Sequence, residues 1–202
     1  MSTVTTRSRL KSDRRSKLLA AAERQIAERG YHAVRLEDIG SAAGVSGPAI
    51  YRHFPNKEAL LVELLVGVST RLLAGARAVV AKANSPDEAL ARLVDFHLDF
   101  ALGESDVIRI QDRDLAHLPE RAKRQVRKAQ RQYVEIWVDL LRRRDGTSEA
   151  DARLMAHAAF GLMNSTPHGL KAYGAKGIES SRSREVLRAM TVAAFSGDHR
   201  RG

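Results

Sequence analysis

An all-α fold is predicted by three features of this 202-residue chain. Aromatic residues make up only 5% of it and prolines number five, while Ala, Leu and Arg, which enter helices at little cost, are abundant. Apolar residues recur at intervals of three and four along most of its length, and the alternation expected of strands is hard to find. The 44% hydrophobic content supports a real core, and the length allows one larger domain or two small ones. Together these predict an all-helical chain with a core large enough for more than one domain.

The chain opens on MSTVTTRSRLKSDRR, which is polar and basic with no apolar core, so neither a secretory signal nor a membrane span is expected there. Residues 1–11 are expected to form a flexible basic arm, whose Arg7, Arg9 and Lys11 can lie along phosphates or in a minor groove. Ser12 or Asp13 can cap a first helix that runs to Arg29, with Leu18, Leu19, Ala22 and Ile26 inward and Gly30 as its stop. A second helix carries Leu36, Ile39 and Ala43 on one face, with small Gly40 where another helix must cross closely. Gly44 supplies a left-handed turn, and Ser46 caps a third helix with Pro48 in its first turn.

From Asn56 to about Lys82 the pattern is again helical, and this helix must leave the small domain and enter the larger one. Ser85 and Pro86 start a helix to about Leu102 that buries Leu90, Leu93, Val94, His97 or Leu98, and Ala101. VIRIQDRDLAHL is a shorter apolar stretch, Pro119 opens a long helix to about Arg143, and Thr147 or Ser148 opens another to about Ser165. Pro167 to Gly177 reads as a loop, and a last helix covers Ser183 to Ser196. No apolar run is expected to be long enough to cross a bilayer.

Two short helices joined by a glycine turn are a device for reading DNA. Ile50 and Phe54, four apart, face inward, which leaves Gly47, Pro48, Tyr51 and Arg52 on the open side with His53 at its margin. Ser46, Gly47, Pro48 and Ala49 present little side chain, so backbone there can approach a phosphate or base edge. Tyr51, Arg52, His53 and Lys57 can donate to phosphate oxygens, and Arg35 can hold another. A net charge of +10 agrees with an anionic partner, of which double-stranded DNA is the simplest.

The stretch AGVSGPAIYRHFPNKEALL, Ala43 to Leu61, with RGYHAV and EDI before it, resembles the TetR family of transcriptional regulators. Val34 and Arg35 stand where many members carry two threonines, and Gly47 and Pro48 where many carry Lys-Gly, which alters the expected base preference. The resemblance implies a DNA-binding domain over 12–72 with its reader at 35–54, and an effector-binding and dimerisation domain over 73–202. It implies a cytoplasmic homodimeric repressor released from a palindromic operator by a small molecule, with no membrane partner and no cofactor. Dimerisation through the last two helices fits the apolar stripes of Met155, Ala159, Leu162 and Met163, and of Leu187, Met190 and Phe195. A largely apolar effector cavity is expected among Phe96, Phe100, Ile110, Trp137, Leu141 and Phe160.

RAKRQVRKAQRQ contains Arg124, Arg127, Lys128 and Arg131 with no acid, either a solvated face or a hold for the phosphates of a large anionic effector. VIRIQDRDLAHLPE and QRQYVEIWVDLL are similar to a branch of actinobacterial TetR-like regulators of fatty-acid, branched-chain or sterol-side-chain catabolism, which implies an acyl-CoA thioester. An enzyme would need a constellation that is missing here: there is no cysteine, no pair of histidines four apart, no phosphate-cradling Gly motif and no Gly-x-Ser-x-Gly elbow. No metal site is expected. A non-specific architectural DNA binder would share the charge but leave the apolar second half without a purpose.

Overall fold

The computed structural model describes the backbone of residues 6–172 and 180–196, and the side chains of 11–165 and 181–196. The described residues form nine α-helices and no strand: α1 (Thr6–Arg29), α2 (Leu36–Ala42), α3 (Gly47–Ile50), α4 (Lys57–Ala81), α5 (Pro86–Gly103), α6 (Ser105–Asp114), α7 (Glu120–Asp145), α8 (Glu149–Ala172) and α9 (Ser180–Ser196). A 3-10 turn at Leu115–His117 follows α6.

Two compact units divide these helices, one of Met1–Val68 with Arg109–Gln125 and one of Ser69–Ile108 with Val126–Gly202. The segment Arg109–Gln125 joins the N-terminal unit, although it lies within the range 73–202 expected for the effector-binding domain. The reason is local: Arg113 donates to the carbonyls of Ile26 (2.5 Å) and Ala27 (3.4 Å) at the open end of α1. His117 meanwhile stacks on Tyr31 with ring centroids 5.1 Å apart. The Ile26 carbonyl also accepts from the Gly30 N–H at 2.8 Å, so the guanidinium uses that oxygen's second lone pair.

The N-terminal core is built from Leu18, Ala22, Ile26, Val34, Ile39, Ile50, Phe54, Leu60 and Leu61, all fully buried. In α1 the buried residues recur every three to four positions, as expected, and Gly30 stops the helix at φ +88°. The helix begins at Thr6, however, so residues 6–11 extend α1 instead of forming a flexible arm, and neither Ser12 nor Asp13 is its cap. The side chains of Arg7 and Arg9 lie outside the described residues.

The C-terminal core gathers Leu90, Leu93, Val94 and Leu98 of α5, Trp137, Val138 and Leu141 of α7, Ala152, Ala156 and Met163 of α8, and Leu187 and Phe195 of α9. Ser85 caps α5 by accepting from the Glu88 N–H at 3.2 Å. Ion pairs join α5 to α9: Arg184 to Asp95 (3.0 Å) and Asp99 (2.8 Å), and Arg188 to Asp95 (2.8 Å). Helix α8 continues to Ala172, so Pro167 lies within it where a loop was expected; residues 173–179 of that expected loop lie outside the described residues. Helix α4 also departs from expectation, since an 18-residue stretch of mean hydropathy 1.7 makes it long and apolar enough to cross a bilayer. Its leucines at 60, 61, 64 and 65 instead serve as core.

Candidate DNA interface and effector site

Gly44 at φ +70° reverses the chain between α2 and α3, where a residue with a Cβ would be strained. Val45 N–H returns to the Gly40 carbonyl at 2.8 Å. A Cβ at Gly40 would stand 3.2 Å from the Val45 carbonyl oxygen and 3.3 Å from Ile50 Cβ, so the absence of a side chain allows α2 and α3 to cross. Asp38 caps α2 by accepting from the Arg35 N–H at 3.3 Å.

Helix α3 is a single turn, with Ser46 in extended conformation before it and Pro48 near its start. The Ser46 hydroxyl makes no capping bond, contrary to expectation; its carbonyl accepts from Ala49 N–H at 2.8 Å instead. Ile50 and Phe54 are both fully buried. Arg35, Ser46, Pro48, Tyr51 and Arg52 are exposed, and Gly47 and Ala49 are half-buried beside them. A surface of small residues flanked by a phenol and two guanidinium groups is thereby presented on a buried aliphatic and aromatic support.

Two candidates take other roles. Lys57 was expected to reach the DNA backbone, but its ammonium donates to the carbonyls of Tyr31 (2.7 Å) and Val34 (2.8 Å) and sits 4.4 Å from the Tyr31 ring centroid. It ties the start of α4 to the loop before α2, because that loop has backbone acceptors unused by any helix. Lys57→Met is expected to lower stability by about 1–2 kcal/mol in thermal or denaturant unfolding. It should leave the slope of log affinity against log salt unchanged, because no phosphate contact is removed.

His53 is half-buried, and its Nδ1 is buried without a partner among the described residues. Burial, with Arg15, Lys11 and Arg14 nearby, holds the imidazole below its usual pKa, so at neutral pH it is an uncharged packing group. Arg15 was not singled out in the sequence; it donates to the His53 carbonyl at 2.7 Å, pairs with Glu63 and lies 4.4 Å from the Phe54 ring centroid. One side chain of α1 thus braces the end of the reader against α4.

Glu37 was also missed. Its carboxylate accepts from the exposed Tyr51 hydroxyl, which holds the acid below and the phenol above their usual ranges. The bond joins residues 14 apart in sequence, so no periodicity could reveal it.

In the C-terminal unit, Phe100, Trp137 and Phe160 converge on His97, with ring centroids 6.2, 6.0 and 5.1 Å from it. Tyr133 joins them at 5.8 Å. Leu141 is fully buried core. Phe96 packs on the backbone of α4, where a Cβ at Gly75 would fall 2.4 Å from its ring, so it is occupied in holding α5 to α4. Ile110 belongs to the N-terminal unit and does not join this group. An open cleft of about 610 Å³ is lined by Asp139, Arg142, Arg143, Gly146 and Thr147, none of them among the expected effector contacts.

The interface candidates divide sharply. Met163, Phe195, Leu187 and Ala159 are 0, 2, 4 and 6% exposed within the protomer, leaving no surface for a second copy. Met155 and Leu162 are half-buried, and Met190 is 51% exposed. The exposed apolar residues on these helices are instead Leu154 on α8 and Val186 and Met190 on α9, among exposed Ala158, Gly161, Ala189 and Ala193. Both helices are apolar over more than one stripe, and periodicity does not say which stripe turns inward. Arg124, Arg127, Lys128 and Arg131 are all exposed along one face of α7.

Comparison with known proteins agrees with this arrangement. The profile described as bacterial regulatory proteins, tetR family, matches residues 18–64, and the tetracyclin repressor-like C-terminal domain matches 83–192. The HTH-type transcriptional activator FasR of Mycolicibacterium smegmatis is 31% identical over 72% of this chain and 67% of its own. Two solved structures share the fold. FadR of Bacillus subtilis in complex with stearoyl-CoA has a TM-score of 0.65 and 20% identity over 89% of this chain and 98% of that one. AibR in complex with isovaleryl coenzyme A and operator DNA has a TM-score of 0.73 and 19% identity over 89% and 96%. With both halves matched, a helix-turn-helix followed by its helical partner domain, the chain belongs to the TetR family of transcriptional regulators and is not an enzyme.

Proposed function

We propose that this regulator acts in the cytoplasm as a homodimeric repressor, binding a palindromic operator and leaving it when an acyl-CoA thioester occupies the C-terminal unit. The observation that carries the reading is the exposed face of Ser46, Pro48, Tyr51 and Arg52, set on fully buried Ile50 and Phe54. Small residues at the start of α3 permit close backbone approach, and the flanking guanidinium groups of Arg35 and Arg52 can fix register on phosphates. The exposed apolar stripe of Leu154, Val186 and Met190 is the surface through which two copies would pair. Two copies place two readers about one helical turn of DNA apart, which selects a two-fold site.

Both solved relatives described above are complexes with a coenzyme A thioester, one of a short branched acid and one of a long acid. Here the aromatic group around His97 would take the acyl portion, and Arg127, Lys128 and Arg131 of the same unit would meet coenzyme phosphates. Helix α4 has residues in both units, so a ligand that prefers another setting of α4 would shift the population away from the DNA-binding geometry. A strongly biased equilibrium needs about 5 kcal/mol of differential binding, within the reach of a large ligand.

Genomic footprinting followed by titration of the bound complex with isovaleryl-, decanoyl- and stearoyl-CoA tests the reading. The expected result is two symmetric half-sites and release by at least one thioester. Binding whose site preference vanishes as salt rises would instead identify a non-specific DNA binder. Arg52→Ala is expected to reduce the salt slope by about 0.9, the value for one lost phosphate contact.

A further inference from the structure

His97, Tyr133 and Asn164 make one connected polar arrangement in the C-terminal unit. His97 is 3% exposed; its Nδ1 lies 2.8 Å from the Tyr133 hydroxyl and its Nε2 lies 3.1 Å from Asn164 Oδ1. An amide oxygen only accepts, so Nε2 carries the hydrogen and Nδ1 accepts from Tyr133. Burial pushes the His97 pKa down to about 4, so the ring is neutral at physiological pH. Asn164 thus fixes the tautomer of His97, and His97 fixes the direction of the Tyr133 hydroxyl.

Trp137 stands beside them, fully buried, and its indole Nε1 has no hydrogen-bond partner of proper geometry among the described residues. The Trp137 side chain opposes part of the upward push of burial on the Tyr133 phenol's pKa. Phe160 closes the other side, with its ring centroid 5.2 Å from Trp137 and 5.7 Å from Tyr133. The buried polar residues described in this unit, Ser69, His97, Ser105, Ser183 and Thr191, include none that is charged at neutral pH.

We propose that the Trp137 indole N–H is the donor that receives a neutral carbonyl oxygen of the effector, so the site accepts a thioester or ketone and rejects the free carboxylate of the same chain. This deepens the effector reading above and rests on it. A buried donor left unpaired is costly, and a carbonyl oxygen removes that cost without bringing a charge. A carboxylate would have to be buried with no cation to pair it, which is far more expensive than burying a neutral acceptor. The aromatic walls supply contact area but cannot tell an acid from its thioester; one donor in uncharged surroundings can.

Trp137 is the only tryptophan in the chain, so its fluorescence reports this atom's surroundings directly. The test uses the full-length protein with three matched probes that all keep the coenzyme: the tightest binder among isovaleryl-, decanoyl- and stearoyl-CoA, its S-alkyl thioether, which lacks only the carbonyl oxygen, and its S-(1-carboxyalkyl) acid, which carries a carboxylate in place of the carbonyl. Calorimetry on the wild type is expected to rank the thioester about tenfold or more above the thioether and the acid, because a site built around one hydrogen bond penalises its loss. The tryptophan emission should shift with the thioester and much less with the thioether. Trp137→Phe is expected to bind the thioether within about twofold of the wild type while losing most of the thioester preference.

Equal binding of thioester and thioether by the wild type overturns the proposal without any variant, and so does a Trp137→Phe protein that keeps the full preference. Either result leaves release of DNA by acyl-CoA standing. If no thioester binds the wild type, the effector reading fails and this inference fails with it.

Discussion

Met190→Arg is expected to yield a folded monomer that binds its operator at least about thirtyfold more weakly than the wild type. Met190 is 51% exposed on α9 and shares the open face with Val186, while Leu154 on α8 is 69% exposed. Burying such residues between two copies removes apolar surface from water, and an arginine in the same place would meet its own symmetry mate. Central interface residues commonly cost about 2 kcal/mol or more when lost, and each 1.4 kcal/mol is tenfold. Sedimentation would show the change of mass, and retained helical circular dichroism would show that the protomer is intact. An unaltered sedimentation coefficient would remove this face from the interface. Met163, the position suggested by periodicity alone, is 0% exposed, so a charge there would break the protomer core and say nothing about pairing.

The second large effect concerns His97 and acid. Its folded pKa is depressed to about 4 by burial, while the unfolded chain takes up the proton near the ordinary value of about 6.5. The unfolded state therefore binds more protons between these values, so stability falls as pH drops from about 6.5 to about 4 and is unaffected by this group above that window. At about 1.4 kcal/mol per pH unit, the loss attributable to His97 reaches about 2–3 kcal/mol by pH 4.5. His97→Gln should start less stable at pH 7, because it disturbs the bonds to Tyr133 and Asn164, but should lose correspondingly less on acidification. Urea unfolding of both proteins at pH 7 and 4.5 measures the difference; parallel losses would mean that His97 is not held neutral by burial.

Much of the N-terminal unit was legible because its signals are local. Gly44, Pro48, the spacing of Ile50 and Phe54, and the stop at Gly30 each act within a few residues of chain, where backbone sterics and helical period decide the outcome. The same locality explains the failures. Lys57 looks like a free cation until the carbonyls of Tyr31 and Val34 are brought beneath it, and His53 looks like a surface donor until burial and the nearby Arg15, Lys11 and Arg14 keep it uncharged. Helices α8 and α9 were found, but not which of their apolar stripes lay inside. The aromatic side chains of the effector region were found too, but not the hydrogen bonds from His97 to Tyr133 and Asn164, which join residues 36 and 67 apart.

By itself, then, the sequence determined an all-helical chain with a helix-turn-helix near its start, a basic surface and no thiol chemistry. Those properties follow from composition and from forces that act over one or two turns of helix. Only the tertiary structure decided which cations are spent on carbonyls, which methionine faces out, which residues of 109–125 brace α1, and which buried N–H lacks a partner. These depend on contacts between distant segments, where burial sets the cost of every unpaired group and one residue's position along a helix says nothing of what arrives from another.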